Sequence, residues 1–87
     1  MANHKSALKR IRQSEGRRLR NRLHRGRMRS EVKKFRAAID AGDKEAASTS
    51  LAEAIALIDR TRSKGVIHRN TAARKISRLQ SAFNQMQ

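Results

Sequence analysis

The apolar residues of this 87-residue chain recur at helical spacing in three separate stretches. Met28, Val32, Phe35 and Ile39 fall at i, i+4, i+7 and i+11. Ala47, Leu51, Ile55 and Ile58 make a second stripe, and Ala72, Ile76, Leu79, Phe83 and Met86 a third. Steps of three and four residues place side chains on one face of an α-helix, whereas a half-buried strand alternates every second residue, a pattern absent here. Three apolar faces can close on one small core. A chain this short makes one domain at most, with little core for its surface. The expected fold class is therefore all-α. It is a three-helix bundle with a core built on Val32, Phe35, Leu51, Ile55, Ile76, Leu79 and Phe83.

Local signals set the helix ends. The first helix is expected to begin near Asn3 or Ser6, either of which can act as an N-cap, and to run to about Ala41. Gly42 supplies a C-cap, and Asp43 an N-cap for a second helix over roughly Lys44–Ser63 that stops at Gly65. The third starts between Ile67 and Asn70 and runs nearly to the end. Linkers this short join antiparallel neighbours.

The first helix cannot pack the same way along its whole length. Traced backwards at about 100° per residue, the line through Met28–Ile39 passes near Arg25, Asn21, Arg17, Ser14 and Arg10, which cannot line an apolar core. Leu8, Leu19 and Leu23 fall on the opposite side. The helix must run past the end of the bundle or bend near Gly26. Within a single helical domain spanning 1–87, residues 1–27 are expected as a long, highly basic helical arm and 28–87 as the bundle core. A helix of about 36 residues would reach about 54 Å. Alone in water the arm is expected to fray before about Met28, because arginines four residues apart repel one another.

Charge follows the same division. The chain holds 22 Lys and Arg against 7 Asp and Glu, a net +15. Residues 1–36 carry +12, residues 37–59 carry −4 and residues 60–87 carry +7. Self-repulsion on this scale opposes a compact isolated chain. A polyanion relieves it, and each neutralised phosphate of a nucleic acid releases a condensed counterion. Lys5, Lys9, Arg10, Arg12, Arg17, Arg18, Arg20, Arg22, Arg25, Arg27 and Arg29 stand on every side of the first helix. A membrane-surface helix would keep one broad apolar face. Charge all round suits contact on more than one side, as when a helix is inserted between RNA helices. Arginine predominates, and its planar fork matches phosphate oxygens and base edges.

A second basic locus is the turn Lys64-Gly65-Val66-Ile67-His68-Arg69-Asn70, with Arg74 and Arg78 beyond it on the outer face of the third helix. Two readings of this turn stay open on composition. It is a phosphate site at a helix N-terminus, or a C-cap, loop and N-cap with no ligand.

Other chemistry is poorly supported. The chain has no cysteine, so a disulfide framework and a zinc finger are both excluded. His4, His24 and His68 are far apart, in basic surroundings, without metal-ligand spacing. No catalytic residue, metal site, cofactor or small-molecule substrate is expected. The opening Met1-Ala-Asn-His-Lys lacks the apolar segment of a secretory signal, and no apolar run approaches a membrane span. With two Phe and no Tyr or Trp, base stacking cannot be the main binding mode. The expectation is a non-enzymatic binder of folded nucleic acid. The alternative is a histone-like, nonspecific nucleic-acid-compacting protein. A cationic membrane-active peptide is disfavoured by the acidic second helix.

An ordered set of short matches resembles one known family along nearly the whole chain. It comprises Met1-Ala-Asn-His-Lys-Ser-Ala7, Lys9-Arg10, Gln13-Ser14-Glu15, Asn21-Arg22, Met28-Arg29, Lys33-Lys34 and Ala41-Gly42-Asp43-Lys44. It continues with Ile58-Asp59-Arg60, Lys64-Gly65-Val66-Ile67-His68-Arg69-Asn70, Ala72-Ala73-Arg74-Lys75 and Ser77-Arg78-Leu79. This is similar to the twentieth protein of the bacterial small ribosomal subunit. Arg69 stands where that family commonly has lysine, and Gly16 and Gly26 lie in the long helix. The resemblance implies a three-helix bundle with a long first helix. It implies direct binding to 16S rRNA, in the 5′ domain and near the long penultimate helix, with a role in early assembly and structural support. Other ribosomal components would be neighbours, and the location would be the cytoplasmic ribosome. Carried over by position, the RNA contacts would be Lys5, Ser6, Lys9, Arg10, Arg12, Gln13, Ser14, Arg17, Arg18, Asn21, Arg22, Arg25, Arg29, Lys33 and Lys34. On the second locus they would be Lys64, Gly65, His68, Arg69, Asn70, Arg74 and Arg78.

Overall fold

A computed structural model describes residues 2–86, with side chains from Lys5 onward. It holds three helices: α1 (Ala2–Asp40), α2 (Lys44–Ser63) and α3 (Arg69–Asn84). The chain is therefore all-α, and α1 extends well beyond the other two. α1 begins earlier than expected. Ser6 and the backbone of Asn3 lie inside the helix, so neither is its N-cap. An N-cap preference does not stop a helix that Ala2, a strong helix former, can prolong by another turn. α1 runs unbroken through Gly16 and Gly26 and past the end of the bundle. A Cβ at either glycine would meet nothing within 4 Å.

Both turns are built alike. Gly42 and Gly65 adopt φ of +71° and +75°, the left-handed region open to glycine without a steric penalty. After α1, the Gly42 amide donates to Ile39 (3.0 Å) and the Asp43 amide to Ala38 (3.1 Å). After α2, the Gly65 amide donates to Arg62 (2.9 Å) and the Val66 amide to Thr61 (3.2 Å). Each pair is a Schellman closure, which satisfies carbonyls that the helix end leaves free. Asp43 then caps α2 at once, its Oδ1 accepting from the Ala46 amide at 3.1 Å. Glu45 in the first turn of α2 and Arg60 and Arg62 in its last oppose the helix dipole at both ends.

The tight first turn sends α2 back along α1, and the core fills between them. Met28 and Phe35 from α1, Ala47, Ala54 and Ile58 from α2, and Ala72 and Leu79 from α3 are buried in one cluster. Val32, Ile39, Leu51, Ile76, Phe83 and Met86 pack against it, partly exposed. Two expectations need correction. Ile55 is half-buried and outside the cluster; the inward face of α2 is Ala47, Ser50, Ala54, Ile58 and Thr61. Small side chains at three of those positions let the α1 backbone come close, which outweighs the larger apolar area of Ile55. The Thr61 hydroxyl donates to the Leu57 carbonyl at 2.7 Å, so it enters the core satisfied. Phe83 is only half-buried because it lies near the end of α3, whereas Phe35 is fully enclosed. One polar defect sits beside the core: Glu31 Oε2 is shut off from solvent and has no hydrogen-bond partner.

Helix lengths decide how far the bundle reaches. The 20 residues of α2 retrace about as many of α1, from Asp40 back to about Asn21. Beyond that point α1 has no partner helix, and the residues from Lys5 to Arg20 are exposed without exception. The molecule is accordingly elongated, 66 × 21 × 14 Å.

Candidate nucleic-acid interface

The same arithmetic brings the two basic loci together. The turn after α2 falls beside the middle of α1, and a cleft of about 370 Å³ opens between them, lined by Arg17, Arg20, Asn21, His24, Lys64, Gly65 and Val66. On the α1 side these residues continue the line of Met28 and Phe35, but they are polar because they face a loop and not a helix. Val66 is buried at 7 % exposure and forms the hinge of the Schellman turn. Its carbonyl accepts from Arg25 Nη2 at 3.4 Å, which ties the arm to the turn. Asn21 and His24 are half-buried here. Partial desolvation lowers the His24 pKa from its ordinary 6.5, and the charges of Lys64, Arg27 and Arg20 lower it further. A neutral imidazole between cations is an electropositive pocket with a proton acceptor inside it.

Two shallower concavities adjoin along the arm. One is lined by Gln13, Gly16, Arg17 and Arg20, the other by Ser14, Arg17, Arg18, Asn21 and Arg25. Arg17 is common to all three, so a phosphate chain could pass from one to the next over it. Nearer the bundle, Arg29, Lys33, Arg36 and Lys75 rim a groove between α1 and α3 whose floor is Met28 and Val32.

The turn into α3 has a capping function. His68 is the N-cap of α3, and its Nδ1 accepts from the Asn70 amide at 3.1 Å. This leaves Nε2 as the donor, so the side chain can cap the helix and still offer a hydrogen bond outward. Arg69 and Asn70 line a separate concavity with Asp59, Arg62 and Ile76, on the α2–α3 side. Arg74 and Arg78 are exposed on α3.

The residues expected to contact RNA are therefore distributed over several surfaces. Apart from half-buried Asn21 they are all exposed. Arg17, Asn21, Lys64 and Gly65 meet at the cleft. Lys5, Ser6, Lys9, Arg10, Arg12 and Arg22 are not joined to it. Lys34 is held by Glu53 of α2, Nζ to Oε2 3.6 Å, an exposed pair of little energetic weight. Sequence reasoning did not name His24, Arg36 or Lys75 among the RNA contacts. His24 was traceable, since it continues the Met28–Phe35 line. Lys75 was not, because its neighbours come from another helix.

A small bundle from which a helix basic on every side projects is the build of a structural component of a polyanionic assembly. Among the described residues no three His, Asp or Glu side chains gather to hold a metal. No helix of the described chain is long and apolar enough to cross a membrane. Comparison with known proteins names the assembly. The family described as Ribosomal protein S20 matches residues 2–84. The small ribosomal subunit protein bS20 of Nitratidesulfovibrio vulgaris strain DP4 is 55 % identical over 86 residues, covering 99 % of each chain. Its namesake from Magnetococcus marinus is 56 % identical over 81 residues, 93 % of this chain and 88 % of the relative. That of Corynebacterium efficiens is 50 % identical over 86 residues, 99 % of each. The chain belongs to the ribosomal protein S20 family. Each of these relatives is named a protein of the small ribosomal subunit.

Proposed function

We propose that this protein is a structural constituent of the small ribosomal subunit in the cytoplasm, binds 16S rRNA directly and supports its folding and assembly. Residues 1–27 act as the RNA-binding arm and residues 28–87 as the body that orients it. The observation that carries this reading is the cleft, where Arg17, Arg20, Asn21 and His24 of α1 face Lys64 and Gly65 of the turn. Two basic segments far apart in the chain are held at a fixed separation. RNA is distinguished chiefly by shape, and a fixed separation of charges is a means of reading shape. The remaining contacts are Lys5 to Lys34 along α1 and Lys64 to Arg78 around the turn, in the 5′ domain and at the long penultimate helix of the rRNA.

A histone-like compactor would share the charge but not the preference. The test is binding of the full chain to a small-subunit rRNA transcript, to an unrelated structured RNA and to duplex DNA of equal length, over a salt series. Preference for the rRNA should persist at moderate salt, while all affinities fall steeply with salt. Equal affinity for the three at every salt concentration would favour the compactor.

A further inference from the structure

The outer face of the arm is apolar in a way that neither the bundle nor the cleft uses. Leu8, Ile11, Leu19 and Leu23 are 44, 53, 56 and 54 % exposed. At about 100° per residue, Leu8, Leu19 and Leu23 fall within about 60° of one another. Ile11 lies about 60° to the other side of Leu8. All four are turned away from Met28 and Phe35. Gly26 continues the same line, and nothing lies within 4 Å of where its Cβ would stand. Arg12 and Arg22 fall among these residues, and Arg18 and Arg25 on one side and Lys9 and Arg27 on the other border the seam. Its one carboxylate, Glu15, is three residues from both Arg12 and Arg18, within reach of neutralisation by either.

We propose that this seam seats in the shallow minor groove of double-helical RNA, its leucines against ribose, with Arg18 and Arg25 on one border and Lys9 and Arg27 on the other reaching the phosphates of the two strands. The proposal rests on the reading that the chain binds rRNA. Charge selects the occupant. A second copy would bring +15 against +15. A bilayer would need one broad apolar face free of cations, and Arg12 and Arg22 deny it. The wide, shallow groove of A-form RNA offers ribose surface between two rows of phosphate. The arm then meets RNA on two opposite sides, the cleft on one and the seam on the other.

The test uses the full chain with two double variants, Leu19→Ala with Leu23→Ala, and Leu19→Lys with Leu23→Lys. Alanine and lysine are good helix formers, and both side chains are exposed and turned away from the core, so circular dichroism should match the parent. Affinity is measured across salt concentrations for a small-subunit rRNA transcript and for a perfect RNA duplex, and self-association by sedimentation. The alanine pair should bind duplex RNA about ten-fold more weakly, with the salt slope unchanged. The lysine pair should also bind more weakly although it adds two cations. Tighter binding with a steeper salt slope in the lysine pair would overturn the proposal, because the arm would then act by charge alone. So would a parent dimer that the alanine pair abolishes, since the seam would then join copies of the chain. If the parent shows no preference for small-subunit rRNA, the functional reading fails, and duplex binding still decides the seam.

Discussion

Folding weakens the hold of His24 on its proton. Partial burial against the Lys64–Val66 turn disfavours the imidazolium, and Lys64, Arg27 and Arg20 repel it, so its pKa lies below the ordinary 6.5. Near pH 6.5 the unfolded chain thus binds more protons at this site than the folded one. The stability this contributes is complete above pH 6.5 and is lost as pH falls from there through the lowered value. Phosphate entering the cleft reverses the local field and raises the pKa, so binding should take up a proton. Affinity for RNA is expected to rise as pH falls from about 7.5 to about 5.5, and His24→Gln should flatten that rise. Calorimetry in buffers of different ionisation enthalpy measures the uptake directly. No uptake by the parent protein would show that phosphate does not occupy the cleft. His68 is a separate case, since its Nδ1 already accepts the Asn70 amide, and its replacement would perturb the start of α3.

The helix α1 is held together in two different ways along its length. From Met28 onward it packs against α2 and the core. Before Arg20 it has only its own backbone hydrogen bonds and a crowd of like charges, a combination that opens locally at small cost. Hydrogen exchange on the free protein should therefore be fast over Lys9–Arg20 and slow over Met28–Ala38, and RNA should slow the first segment most. Equal protection of both segments without RNA would contradict this. Much of this element structure was legible in the residues. Gly42, Asp43 and Gly65 announce the two turns, and the Met28–Ile39 and Ala72–Met86 stripes announce two faces of the core. What escaped depends on tertiary distance. The inward face of α2 passes through Ala54 and not Ile55 because backbone proximity to α1, which no spacing pattern records, favours small side chains. The meeting of His24 with Lys64 follows from the length of α2, and is visible only once the helix ends are known.

For the molecule as a whole, the proposed function implies that the division between arm and bundle separates affinity from discrimination. Residues 1–36 carry +12 of the net +15, so most counterion release must originate there. Contacts of that kind carry little information about which RNA is bound. Discrimination needs the turn held at a fixed distance from the arm, and the bundle is the rigid body that holds it. Phe35, with no exposed surface, is the side chain on which that rigidity most depends. Phe35→Ala should cost about 3–5 kcal/mol of folding free energy, a large share of the roughly 5–15 kcal/mol available to a domain. Phe83→Ala should cost less, because Phe83 is already half in solvent. With the bundle loosened, Phe35→Ala should lose preference for small-subunit rRNA yet retain most salt-sensitive binding to any RNA. Replacing Arg17, Arg18 and Arg22 together by alanine should do the reverse. These residues make no core contact, so thermal unfolding of the bundle should be unchanged. Affinity for every RNA should fall, and the slope of log K against log salt should become shallower by about 2–3. Arg17 also lines the cleft, so a modest loss of preference in the triple variant is compatible with this division. A loss as large as that in Phe35→Ala is not, and would mean that the arm itself reads the RNA.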